Sequence, residues 1–78
     1  MAIEMSDGTC ANLLFPGTRV RHVDYPKLTG TIRKWEMHES GKPSPIPYNI
    51  DWDDDRLARE MLGMFYFYSS PERVVIER

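Results

Sequence analysis

The chain has 78 residues, enough for one domain with a single small core and too few to enclose a deep cleft. A hydrophobic fraction of 41% and a charged fraction of 28% exclude the disordered class, and a net charge of −2 points to no ligand by itself. One cysteine, Cys10, excludes an internal disulfide, and with His22 and His38 it falls short of a four-ligand zinc site.

Residues 1–14 carry neither a strand nor a helix period and contain the turn chemistry "SDGT", so a flexible N-terminal arm is expected there, with the domain proper at 15–78. Cys10 is expected as an exposed thiol, since no base or helix N-terminus stands near it in sequence. No basic n-region precedes an apolar stretch, and no run of about 18 apolar residues exists. The expectation is a soluble cytoplasmic protein without a membrane segment.

After the punctuation of "FPG", the stretch "TRVRHV" from Thr18 to Val23 predicts a strand with Val20 inward. "DYPKLTG" is a loop, and "TIRKWEM" from Thr31 to Met37 predicts a second strand, with Ile32 on one face and Thr31, Arg33 and Trp35 on the other. "HESGKPSPIP" is expected as a long irregular hairpin connection, because Pro43, Pro45 and Pro47 remove three backbone donors. "YNIDW" is the cleanest strand signal, with Tyr48, Ile50 and Trp52 on one side. "RLAREMLG" predicts a short helical turn carrying Leu57, Ala58 and Met61 on one side, capped by Asp54 or Asp55 and stopped at Gly63. "MFYFY", Met64 to Tyr68, predicts a fourth strand with Phe65 and Phe67 inside and Tyr66 and Tyr68 outside. "SSPER" is a tight turn with Ser70 and Pro71 at its start, and "VVIE" a last strand.

Charge separates along the chain. Arg19, Arg21, Lys27, Arg33 and Lys34 stand against Asp24 alone, and the following segment to Glu60 holds seven acids against Lys42, Arg56 and Arg59. Neighbouring strands are expected to pair these charges across a sheet. The spacing of Asp51, Asp53 and Asp55 begins like a calcium loop, but the loop needs Gly where Arg56 stands and Glu where Leu62 stands. No metal and no cofactor are therefore expected, and the acids are read as a solvated turn. Neither histidine is accompanied by a Ser or Cys in a nucleophile pattern, and no phosphate loop or nucleophile elbow occurs, so the chain is not expected to be an enzyme.

"FPGTRVRHVDYPKLTGTIRKW" resembles the opening of a KOW-like or Tudor-like small barrel, and "FYFYSSPERVVIE" is similar to the final strand, tight turn and last strand of Src-homology-3-like barrels; together they cover most of 15–77. The resemblance implies a mainly β fold, a five-stranded antiparallel small barrel with a short helical turn before the fourth strand, and binding rather than catalysis. The expected role is a regulatory or accessory module that binds another protein through Tyr25, Trp35, Tyr66 and Tyr68, with Asp53, Asp54 and Asp55 steering a basic partner. The alternative, which the resemblance also implies, is nucleic-acid binding through Arg19, Arg21, Lys27, Arg33 and Lys34, against which stands a pI near 5.6. A related variant is an acidic face that mimics nucleic acid and occupies a DNA-binding protein. A monomer or weak homodimer is expected, because a small sheet leaves an edge strand.

Overall fold

The computed structural model describes residues 1–78. Its first feature is a hairpin of β1 (Ile3–Glu4) and β2 (Cys10–Ala11), closed by a turn in which the Asp7 carboxylate accepts from the N–H and hydroxyl of Thr9 at 3.1 and 2.6 Å. Gly8 takes a positive φ of 88° in that turn, a conformation that a side chain would resist. Met5 and Leu13, both inside the stretch read as an arm, lie in the hydrophobic core, and the Ser6 N–H donates to the Pro43 carbonyl at 2.8 Å.

The main sheet is built from β3 (Arg19–His22), β4 (Thr29–Met37), β5 (Pro43–Trp52), β6 (Tyr68–Ser69) and β7 (Val74–Ile76). All its pairings are antiparallel, in the order β6-β5-β4-β3-β7. Helix α1 (Asp55–Leu62) lies between β5 and β6, and a 3-10 turn, Pro71–Arg73, between β6 and β7. Val20 and His22 of β3, Ile32 of β4, and Tyr48, Ile50 and Trp52 of β5 are buried on the concave side, where Ala58 and Val74 join them. The period-2 pattern of "YNIDW" is thus realised as read. No helix is long and apolar enough to cross a membrane.

The sheet curls but does not close. It is an open half-barrel, and this corrects the expected barrel. The cause lies in "MFYFY", which is not a strand: Met64 to Phe67 form turns, and only Tyr68 and Ser69 pair with β5. Gly63 ends the helix at φ 83°, the Tyr68 N–H donates to the Phe65 carbonyl at 3.0 Å, and the Tyr66 carbonyl accepts from the Trp52 indole at 2.7 Å. Those local and tertiary bonds outweigh the β-propensity of the aromatics.

Two further expectations are corrected. The proline stretch is strand rather than loop, since β5 begins at Pro43 and the connection is only His38 to Lys42. Pro43 is tolerated because the His38 N–H donates to the Lys42 carbonyl at 2.8 Å, which makes the next pair of the ladder, Met37 and Pro43, a non-hydrogen-bonded one in which a Pro43 donor would face away from β4. Ser44 to Pro47 then stand opposite Glu36 alone, a wide irregularity that absorbs the other two prolines. In β4, Arg33 is an extra residue between the pairs Ile32–Ile50 and Lys34–Asn49. That bulge reverses the alternation and brings Trp35 to the side of Ile32, where it packs against the core.

Candidate functional site

The charged residues form a cross-strand network on the convex face. The Arg19 guanidinium holds both oxygens of Asp53 in a bidentate pair, donates to the Thr31 hydroxyl at 3.0 Å and lies 3.5 Å from Glu77. Thr29 adds a third donor to Asp53 at 2.7 Å. The arginine's hydrogen bond, followed by that of Thr29, holds the Asp53 carboxyl down at about 2, and the same pairing raises Arg19. The basic and acidic segments thus meet at Arg19 and Asp53, although the pair reaches from β3 across β4 to the end of β5 rather than between neighbouring strands.

The other two acids of the turn also have internal partners. Asp54 caps α1, accepting from the Leu57 N–H at 3.0 Å, and Asp55 accepts from the Tyr66 hydroxyl at 2.7 Å and from Arg59 at 3.3 Å. Of the remaining basic residues, Lys34 lies 3.9 Å from Glu36, Arg21 is half-buried with an enclosed Nε that has no partner, and Lys27 and Arg33 are exposed.

The aromatics divide differently from the alternation read in the sequence. Tyr25 is half-buried against His22, with ring centroids 5.1 Å apart. Trp35 is held by its indole N–H on the Leu14 carbonyl at 2.9 Å and stacks on Phe15. Tyr66 packs against the core, with Arg59 5.4 Å above its ring, so it does not belong to an outer set. Phe65, read as inward, is 67% exposed and stacks beside Tyr68, which is 38% exposed. Once the run turns instead of extending, alternation no longer says which side each ring takes. Pro45 and Ile46, in the stretch expected as a loop, join this surface.

These residues line two adjoining depressions that share Pro45, Ile46, Phe65 and Tyr68. The larger, about 860 Å³, reaches the N-terminal hairpin, the end of α1 and the 3-10 turn, and its margin carries Asp7, Glu72 and Arg73. The smaller, about 580 Å³, runs along Glu36, Met37 and His38. The result is a groove of mixed lining, apolar along Met37, Ile46, Phe65 and Tyr68, with three acids against one arginine. No group of three metal-ligating side chains comes together anywhere in the fold.

His22 lines the larger depression from beneath while being only 2% exposed. Its Nδ1 accepts from the Asp24 N–H at 3.1 Å, and the Tyr25 and Trp52 rings flank it. Burial lowers its pKa first and the charge of Arg73 lowers it further, against an opposing effect of Asp24, so the ring is held neutral. No protein-family model matches the chain, and neither does any curated protein or solved structure.

Proposed function

We propose that the chain is a non-catalytic interaction module that binds an extended, basic segment of another protein in the groove between the N-terminal hairpin, β5 and the 3-10 turn. The observation that carries this reading is the apolar strip of Met37, Ile46, Phe65 and Tyr68, which two short elements and a proline-stiffened strand hold out to solvent. Such patches mark interaction surfaces, and small domains do not keep them for stability. Charge selects the partner: Asp7, Glu36 and Glu72 border the groove and favour Lys or Arg flanking the apolar contacts. The 3-10 turn before the last strand, together with the strand order, supports a Src-homology-3-like architecture, in which grooves of this kind take extended peptides. Arg19, committed to Asp53, Thr31 and Glu77, is withdrawn from any phosphate-tracking surface, which weakens the nucleic-acid alternative.

Selection of a displayed random-peptide library on the full chain tests the reading. Enriched peptides are expected to join apolar residues to Lys or Arg, and to lose at least about ten-fold in affinity when Phe65→Ala and Tyr68→Ala are combined in a protein that still unfolds cooperatively. Absence of enrichment, or peptides indifferent to that double substitution, would refute it.

A further inference from the structure

We infer that His22 and Ser69 form a polar anchor at the floor of the groove and hydrogen-bond a main-chain carbonyl of the segment bound there; the inference rests on the peptide-binding reading above and adds what the floor reads. Because Nδ1 of His22 is occupied by the Asp24 N–H, the proton of the neutral ring sits on Nε2. Nε2–H has no partner within the fold. Yet Arg21 Nε is the only fully enclosed side-chain nitrogen or oxygen without one, so Nε2 keeps an opening to the outside. The depression that His22 lines supplies that opening. Ser69 repeats the pattern: it is 5% exposed, its hydroxyl has no partner in the fold, and it lines the same depression.

The acceptors nearby are in the opposite condition. Asp7 is occupied by the N–H and hydroxyl of Thr9, and Glu72 by the Ser70 hydroxyl at 2.8 Å. Uncommitted hydrogen-bonding groups therefore lie on the floor, while formal negative charge lies on the margin. A free carboxylate would satisfy the floor but would meet a margin that is net negative, with Asp7 and Glu72 against Arg73. A peptide carbonyl with a basic residue beside it satisfies both, and a few placed polar groups in an apolar groove are how such sites fix orientation. An unpaired donor at the bottom of a groove also penalises a ligand that covers it without an acceptor, which gives selectivity for register along the peptide.

The test is a long-range ¹H–¹⁵N correlation of the His22 imidazole in the full chain, titrated with three defined probes: N-acetyl-leucine N-methylamide, N-acetyl-leucyl-arginine N-methylamide and N-acetyl-leucine. The free protein is expected to show the Nε2–H tautomer. The two amides should move the Nε2 resonance saturably, the arginine-containing one at lower concentration, and the free acid should bind most weakly. Ser69→Ala should weaken the amides about five-fold, and the exposed-site variant Phe65→Ala should weaken all three probes in a protein that keeps its spectrum. An Nδ1–H tautomer, a tighter fit for the free acid, or an unmoved Nε2 resonance would overturn the anchor. If Phe65 and Tyr68 shift while Nε2 does not, the groove binds through its apolar walls alone and the protein-binding reading survives. If no resonance moves, the anchor falls, and display selection still decides the broader reading.

Discussion

Gly30 of β4 stands opposite Trp52 of β5, with the β5 backbone close against it. A Cβ built there would lie 2.7 Å from the Asp51 carbonyl oxygen and 3.0 Å from the Trp52 Cα, and both of those are backbone atoms that cannot swing aside. Gly30→Ala is therefore expected to lower stability by about 1–3 kcal/mol, read as a lower denaturant midpoint at unchanged slope; an unaltered midpoint would show that the two strands part freely. At Asp53 the folded pKa is depressed to about 2 from an ordinary carboxylate value. A depressed acid contributes stability that is present above its unfolded pKa, near 3.9, and is lost as pH falls through the folded value. With its side chain 48% exposed, solvent screens part of that contribution. Thermal midpoints measured from pH 6 down to about pH 2 should fall less steeply for Asp53→Asn than for the unaltered chain. Parallel curves would mean that the Arg19 pair contributes nothing to folding.

Among the elements, α1 is the most local in its causes. Asp54 satisfies the Leu57 N–H, Asp55 favours the first turn, and Gly63 ends the helix with its N–H on the Arg59 carbonyl. Only Ala58 is buried fully, with Leu57 and Leu62 partly so, and the helix therefore depends on its cap more than a deeply packed one would. Asp54→Ala is expected to cost about 1 kcal/mol, measurable by urea denaturation, whereas Asp54→Asn should cost less because it keeps an acceptor. Strand β5 shows the contrary case. Three prolines argue against a strand when each is weighed for its missing donor. The sheet nevertheless accommodates Pro43 where the donor would have pointed away from β4, and it lets Ser44 to Pro47 leave the ladder. The same prolines remove donors from the part of β5 that the short β6 does not reach, and Ile46 among them stands outward beside Phe65.

For the whole molecule, the division between what holds the fold and what faces a partner can be tested by contrast. Met5 is 2% exposed and joins the N-terminal hairpin to the core, so Met5→Ala is expected to cost about 2–5 kcal/mol. Phe65→Ala, at a larger but mostly solvated side chain, should change stability by no more than roughly 0.5 kcal/mol while impairing peptide capture. Should Phe65→Ala unfold the chain, the groove wall would be core and the proposed surface would not exist. The open half-barrel is what makes the contrast possible. With β6 only two residues long and β7 three, the hairpin, the helix end and the 3-10 turn all border the space that a closed sheet would have filled.

Features with causes a few residues away were legible in the sequence: the inward face of "YNIDW", the cap at Asp54, the stop at Gly63, the turn at Pro71 and the exposed thiol of Cys10. Each follows from backbone propensity or local hydrogen bonding, which neighbours in sequence decide. The extra residue at Arg33 that moves Trp35 across the sheet was not legible, nor was the turning of "MFYFY" that exposes Phe65 and withdraws Tyr66. Nor was the groove, whose walls run from Met5 to Arg73. Strand register, and the side a ring takes, are set by the partner strand and by which tertiary hydrogen bond claims the backbone. Only the folded chain brings those partners together.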